Sequence, residues 1–350
     1  MGVDPTAGHA SLGGARVIAV ALAAAVSVAA CGSQPRPRAT TPRHELATHP
    51  AAAPSSTSAS APAVGTPGGF RVAERQVTFA EPAHMGAAGQ SLGLRRLVIQ
   101  VRYPLAQRSS GSQPARGGFP LLVFAPGFMQ CGGPYSHLLR AWASAGYVVA
   151  VVNFPRTDCR IGAQAYEPDL INQPADMTYV LSRLLALNAQ PHDPFSGLLN
   201  RHEIAAAGQS DGGDTVAALA ANACCTDHRL KAVAVLSGAE WPPMPGRYFA
   251  HGAPPMLFAQ GTADAINPPW TSLQLYRQDQ SRVKYYLDLL GANHLLPYWG
   301  TNPVERLVAR VTLAFFDRYV LGQAQALAAM TQAGNSSGRA ALVSGSQLPP

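Results

Sequence analysis

Short apolar runs alternate with longer, helix-like segments along most of this 350-residue chain. Apolar runs of this kind are typical of buried strands, and Leu181, Leu184 and Leu185 show the spacing of a buried helix face. Strands and helices in alternation predict an α/β fold, a mostly parallel sheet of about eight strands covered by helices on both faces. The first two predicted strands are expected to form an antiparallel hairpin. The predicted strands are 76–79, 97–103, 120–125, 147–153, 204–207, 232–236, 256–259 and 283–289, and the predicted helices are 136–145, 173–187, 212–223, 269–276 and 304–319.

The two ends of the chain differ from this central part. Residues 31–69 are dominated by Pro, Ala, Ser and Thr and hold too few large apolar residues to fold, so they are expected to form a flexible tether. Residues 329–350 are polar and glycine-rich and are expected to be a disordered tail. One catalytic domain is therefore predicted over 70–328. The 47% hydrophobic content of the chain is ample for its core.

The N-terminus carries an apolar run from Val17 to Ala30 that is preceded by Arg16. Its length is that of the apolar region of a signal peptide and is short for a membrane span. The residues Val28-Ala29-Ala30-Cys31 that end it resemble a bacterial lipobox. That resemblance implies a lipoprotein signal peptide over 1–30 and a lipid-modified Cys31. The chain would then be anchored to the outer face of the cytoplasmic membrane; an ordinary signal peptide and secretion are the alternative.

The net charge of +7 does not indicate nucleic-acid binding. Only two lysines occur and the arginines are scattered singly, so no basic stripe of the kind that contacts phosphates is present in the sequence. Arg36, Arg38 and Arg43 lie together in the tether, which fits a loose attraction to acidic polymers of the cell envelope.

Four cysteines follow Cys31, an even number in a chain expected to leave the cytoplasm. Cys131 and Cys159 each lie shortly after a predicted strand, so they are candidates for a disulfide if those strands are neighbours. Cys224 and Cys225 are adjacent in the chain. They could then pair only as a strained vicinal disulfide or remain buried thiols.

The pentapeptide Gly-x-Ser-x-Gly occurs three times, so the motif alone does not locate a nucleophile. Its chemistry needs a strand before the serine and a helix after it, because a sharp turn between them lifts the hydroxyl out of the backbone. The copy at 89–93 precedes a strand and the copy at 334–338 lies in the polar tail, so both are predicted to be loops. Only Ser210 has a predicted strand before it and a helix after it. Gly208 and Gly212 would relieve the crowding in such a turn.

A serine hydroxyl is almost un-ionised at neutral pH, so it needs a base, and the base needs an acid that orients it. Around a strand–serine–helix turn the partners follow in the order Ser, acid, His. His294 is the one histidine after Asp264 and follows the last predicted strand. Asp264 follows the strand 256–259 closely and is predicted to be the acid, with Glu240 as the reserve choice.

Two backbone N–H groups are expected to hold the oxyanion. Gly127 permits a turn, after the strand 120–125, that presents the N–H of Phe128, although a plain proline–glycine turn is the alternative. The N–H of Asp211 lies at the start of the helix after Ser210. The side chains of Asp211 and Asp214 are interpreted as first-turn carboxylates that complement the helix dipole.

Together these features resemble the α/β-hydrolase superfamily over about 71–322. The branch most similar holds chlorophyllases, platelet-activating-factor acetylhydrolase-like esterases, cutinase-like polyesterases and dienelactone hydrolase-like proteins. The chain departs from it in having Asp211 where polyesterases commonly have an apolar residue, and Pro126-Gly127 where relatives often have His-Gly. The segments that carry the resemblance are Val101-Arg102-Tyr103-Pro104, 119–127, Ala145-Gly146-Tyr147-Val148-Val149, Asn172-Gln173-Pro174-Ala175-Asp176, the Ser210 turn, Asp264 and His294.

The resemblance implies an α/β-hydrolase fold and hydrolysis of carboxylic esters through an acyl-enzyme, with neither metal nor organic cofactor required. The segment 238–255, where many relatives insert a lid, is short, so no large lid domain is expected. The open site would be rimmed by Trp241, Trp270, Tyr298 and Trp299 and take a small-molecule, lipid or polymer ester. Acyl transfer between envelope lipids and a catalytically silent envelope-binding lipoprotein are the alternatives.

Overall fold

The computed structural model describes residues 69–105 and 118–348. The expected signal peptide, Cys31 and the tether up to residue 68 lie outside the described residues. No helix in the described part of the chain is long and apolar enough to cross a membrane. The strands are β1 (Arg71–Glu81), β2 (His84–Met85), β3 (Ser91–Leu92), β4 (Arg95–Leu105), β5 (Phe119–Ala125), β6 (Val148–Asn153), β7 (Leu199–Gln209), β8 (Ala232–Leu236), β9 (Met256–Gly261), β10 (Lys284–Leu289) and β11 (Ala340–Ser344). The helices are α1 (Ser136–Ser144), α2 (Gln173–Asn188), α3 (Asp211–Ala221), α4 (Pro269–Gln278), α5 (Pro303–Tyr319) and α6 (Ala326–Gly334).

One nine-stranded sheet organises these elements, in the order β1-β4-β6-β5-β7-β8-β9-β10-β11. The six strands from β6 to β10 in this order pair in parallel; β4 pairs antiparallel with β6 on one side, and β11 pairs antiparallel with β10 on the other. The predicted opening hairpin is confirmed, since β1 pairs antiparallel with β4. The expected α/β architecture with a mostly parallel sheet is therefore present, with β2 and β3 forming a separate two-stranded ribbon.

Helices cover both faces of the sheet, and this explains why a central strand such as β5 is apolar throughout. β5 is buried along its whole length. Leu121 and Val123 point to one face, against α2, α3 and α4, and Leu122 and Phe124 point to the other, against α1, α5 and α6. Because successive side chains in a strand alternate between faces, a strand covered on both sides needs an uninterrupted apolar run.

The C-terminal segment corrects one expectation. Residues 329–350 were predicted to be a disordered tail, but α6 continues to Gly334 and β11 pairs antiparallel with β10. Met330 and Ala340 are buried in the core on the face of the sheet that α1, α5 and α6 cover. The strand forms because β10 offers an open edge of backbone hydrogen-bonding groups, a feature that the polar local sequence does not reveal.

Cys131 and Cys159 lie in the loops that follow β5 and β6. These strands are neighbours, as the predicted bridge required, and Cys131 and Cys159 lie at disulfide distance. Cys224 and Cys225 also lie at disulfide distance. Cys224 is exposed, so the interpretation of this pair as buried thiols is wrong.

Candidate active site

Ser210 occupies a strained turn between β7 and α3. Its φ of 57° and ψ of −126° fall in a region that non-glycine residues rarely adopt. A Cβ on Gly208 would lie 2.0 Å from the carbonyl oxygen of Gly212, and a Cβ on Gly212 would lie 2.0 Å from that of Ala125. Both positions therefore require glycine, as the crowding argument predicted.

Ser210, His294 and Asp264 are hydrogen-bonded in series. His294 Nε2 lies 2.9 Å from Ser210 Oγ, and His294 Nδ1 lies 2.7 Å from Asp264 Oδ2. The histidine and the aspartate are buried, whereas Ser210 is partly exposed. Each follows the carboxyl end of a different parallel strand, so the sheet brings together three residues that are far apart in the chain.

The surroundings of Asp264 favour its ionised form. Its Oδ1 accepts hydrogen bonds from the N–H groups of Ile266 and Asn267, both at 2.9 Å. Burial alone would raise the pKa of Asp264, but the hydrogen bond and charge of His294, with these donors, hold that pKa below its ordinary value. A carboxylate at Nδ1 favours the tautomer in which Nε2 is free to accept the Ser210 proton.

Glu240, the reserve choice for the acid, lies elsewhere. Its carboxylate accepts hydrogen bonds from the side-chain amides of Gln274 and Gln278 on α4, at 2.7 and 2.9 Å. Glu240 is therefore engaged on α4, and the carboxylate that bonds His294 is that of Asp264.

The loop after β5 passes directly beside the serine. A Cβ on Gly127 would lie 3.1 Å from Ser210 Cβ. The N–H of Gly127 donates to the Tyr135 hydroxyl, 3.2 Å away, so it is already engaged, and the predicted donor is the next one along the loop, Phe128. Asp211 is the first residue of α3, where a backbone N–H has no acceptor within the helix. Asp211 therefore follows Ser210 in the chain, and Gly127, the residue before Phe128, contacts Ser210 from the loop after β5.

A buried hydrogen-bond network that sequence reasoning missed connects this loop to His294. The Tyr135 hydroxyl donates to Gln209 Oε1 at 2.7 Å, and Gln209 Nε2 lies 3.2 Å from the carbonyl oxygen of His294 and 3.1 Å from its Nε2. Burial raises the pKa of Tyr135 to about 12, so its hydroxyl stays protonated and can donate. The position of Gln209 directly before Ser210 was the one signal for this network in the sequence.

The aromatic residues expected at the rim divide into two groups. Trp270 is 64% exposed, and Trp241 and Trp299 are partly buried. Tyr298 is fully buried, and its hydroxyl bonds Ser237 Oγ and the carbonyl oxygen of Ala259. The prediction that Tyr298 lines the rim is therefore wrong, because these two buried partners hold it in the core.

Asp211 and Asp214 lie in the first turn of α3, as predicted, but neither is a simple surface carboxylate. Asp214 is buried and accepts a hydrogen bond from the N–H of Ala239. Asp211 is 8% exposed, and its Oδ2 has no hydrogen-bond partner among the described residues. Burial, reinforced by the charge of Glu167, raises the pKa of Asp211 to about 7.

Comparison of the chain with protein-family models and with curated proteins finds no match. The functional argument therefore depends on the geometry of the site. Across residues 69–105 and 118–348, no group of three or more His, Cys, Asp or Glu side chains is arranged to hold a metal ion.

Proposed function

We propose that this chain is an α/β-hydrolase-fold serine hydrolase that cleaves carboxylic esters through an acyl-enzyme on Ser210. One observation carries the proposal: the Ser210 hydroxyl, on a strained strand-to-helix turn, is 2.9 Å from an imidazole whose other nitrogen is 2.7 Å from a buried carboxylate. This arrangement supplies a nucleophile, a base and an orienting acid in one hydrogen-bonded chain. The order of the parallel strands and the resemblance noted in the sequence support the same fold.

The first half of the reaction makes the acyl-enzyme. Ser210 Oγ attacks the ester carbonyl carbon while His294 Nε2 takes the hydroxyl proton, and Asp264 stabilises the imidazolium that forms. The carbonyl oxygen becomes an oxyanion that accepts hydrogen bonds from the N–H groups of Phe128 and Asp211. Collapse of this intermediate breaks the bond to the alcohol oxygen, and His294 returns the proton to the departing alcohol.

The second half releases the acid. A water molecule gives a proton to His294 Nε2 and attacks the acyl carbon, the oxyanion forms again at the same donors, and the bond to Ser210 Oγ breaks. His294 returns the proton to the serine oxygen. The carboxylic acid leaves and the site regains its starting state.

We further propose that the protein acts outside the cytoplasmic membrane, held there by a lipid on Cys31 or secreted. The two cysteine pairs at disulfide distance support an oxidising compartment. Metabolic labelling with a fatty-acid analogue should mark the wild-type protein and not Cys31→Ser; equal labelling would exclude the anchor.

A fluorophosphonate probe tests the enzymatic proposal, since it reacts covalently with activated serines. It should label the wild-type chain and not Ser210→Ala. Ser91→Ala is the matched control, because Ser91 lies in the same pentapeptide at 89–93 but on the short strand β3, and it should label like the wild type. Hydrolysis of p-nitrophenyl esters of increasing acyl length should likewise be retained in wild type and Ser91→Ala and lost in Ser210→Ala. Equal labelling of wild type and Ser210→Ala would overturn the proposal.

A further inference from the structure

Asp211 places a buried carboxyl group directly beside the nucleophile. It belongs to the residue directly after Ser210, is 8% exposed, and leaves Oδ2 without a hydrogen-bond partner among the described residues. A first-turn carboxylate that serves only the helix dipole needs no such burial. Burying a carboxyl oxygen without a donor costs free energy, and a ligand that brings a donor and a positive charge to this group would offset that cost.

Two further acidic side chains neighbour Asp211. Glu167, on the short 3₁₀ helix Glu167–Asn172, and Asp214 both interact electrostatically with it. No Lys, Arg or His within the described ranges forms an ion pair with any of the three. The two arginines of the preceding loop are engaged elsewhere, Arg160 with the Asp158 carboxylate and Arg156 over the Tyr166 ring.

We propose that Asp211 and Glu167 form an acidic subsite that binds a protonated amine carried by the ester substrate. This inference rests on the proposed function, because the subsite selects among esters that Ser210 would cleave. A protonated amine supplies a hydrogen-bond donor to the Asp211 carboxyl group and the positive charge that the acidic cluster lacks. A metal ion fits less well, since no set of three ligands is arranged for one in the described chain.

The position of Asp211 also limits where the amine lies in the substrate. Its N–H is a proposed oxyanion donor, and the carboxylate of the same residue is only a few ångströms from that N–H. We therefore expect the amine close to the scissile carbonyl, on either the alcohol or the acyl side of the ester. One charge-assisted hydrogen bond in such a site should improve kcat/KM by about 10- to 100-fold over an uncharged substrate of the same shape.

Two substrate pairs of matched shape test the subsite. The alcohol pair is 2-(dimethylamino)ethyl butanoate, protonated at neutral pH, and its neutral isostere 3-methylbutyl butanoate. The acyl pair is methyl 4-(dimethylamino)butanoate and methyl 5-methylhexanoate. Wild type should prefer the cationic ester of at least one pair by about 10- to 100-fold in kcat/KM.

The ratio within a pair is the measurement, because any loss that Asp211→Asn causes at the oxyanion donors affects both members alike. Asp211→Asn should bring the ratio close to one, and Glu167→Gln should lower it partly. Glu240→Gln is the control, since its carboxylate bonds Gln274 and Gln278, and it should leave the ratio unchanged.

The outcomes separate the two proposals. A chain that resists the fluorophosphonate probe and hydrolyses no ester refutes the hydrolase proposal and the subsite with it. A chain that is labelled at Ser210 and hydrolyses both members of each pair equally refutes the subsite alone. A wild-type preference that survives in Asp211→Asn also refutes the subsite.

Discussion

Replacing Tyr135 by phenylalanine removes one oxygen atom from the network that joins the loop after β5 to His294. That hydroxyl accepts a hydrogen bond from the Gly127 N–H at 3.2 Å and donates one to Gln209 Oε1 at 2.7 Å. Tyr135 is fully buried, so water cannot replace the lost partner freely. Its ring packs edge-on against Phe124, and phenylalanine would keep that packing.

Two costs follow from this one deletion. Each of the two buried groups left without a partner costs about 1–3 kcal/mol, so the free energy of unfolding should fall by roughly 2–6 kcal/mol. Gly127 also precedes Phe128, the proposed oxyanion donor. Because loss of such a donor lowers kcat by about 10²- to 10³-fold, a displaced donor should lower kcat by about 10- to 100-fold with little change in KM.

Tyr298→Phe is the matched control. Its hydroxyl is equally buried and also has two partners, Ser237 Oγ at 3.0 Å and the Ala259 carbonyl oxygen at 2.9 Å, but neither belongs to the loop after β5. Urea unfolding should show similar losses of stability for both variants. Steady-state hydrolysis of a p-nitrophenyl ester should show the fall in kcat for Tyr135→Phe alone. Equal falls in kcat, or none, would refute the positioning role of Tyr135.

Three further perturbations test the turn, the disulfide and a buried acid. Gly208→Ala would place a Cβ 2.0 Å from a backbone oxygen and should abolish activity, whereas Gly93→Ala, with open space around it, should be neutral; an active Gly208→Ala protein would contradict the strained-turn argument. Replacing Cys131 and Cys159 by serine opens a loop with a sequence separation of 28 and should lower the free energy of unfolding by about 3–4 kcal/mol; a loss of much less than this in denaturant unfolding would argue against the bridge. Burial raises the pKa of Asp317 to about 6, so the folded chain keeps this proton to higher pH than the unfolded chain and loses stability as pH rises from about 4 to 6. Asp317→Asn should therefore match wild type near pH 4 and exceed it by up to about 3 kcal/mol at pH 8 in urea unfolding, and identical pH profiles would contradict this.

Local patterns were sufficient for much of the framework. The central strands could be predicted because a strand covered on both faces must be apolar at every position, as β5 is. The predicted helices begin and end within two residues of the observed ones, since each has a continuous helical pattern along its own sequence. The position of Ser210 between a strand and a helix, and the order in which Asp264 and His294 follow it, are also local or sequential features.

Features that depend on distant partners could not be predicted in this way. The strand β11 forms on the open edge of β10, about fifty residues earlier, so its own polar sequence indicated a disordered tail. Tyr298 was expected at the rim because an aromatic residue near His294 suits either place, and only its two buried hydrogen-bond partners decide for the core.

The site shows the same division. The sequence by itself determined the residue types and their order: a serine in a glycine-flanked turn, then an aspartate, then a histidine. Only the tertiary structure decided that Tyr135 and Gln209 connect the loop after β5 to His294, and that Asp211 is buried with an unpaired oxygen. The physical reason is that hydrogen bonding and desolvation depend on which groups meet in space. Those contacts are set by the order of strands in the sheet, and they leave no local pattern in the sequence.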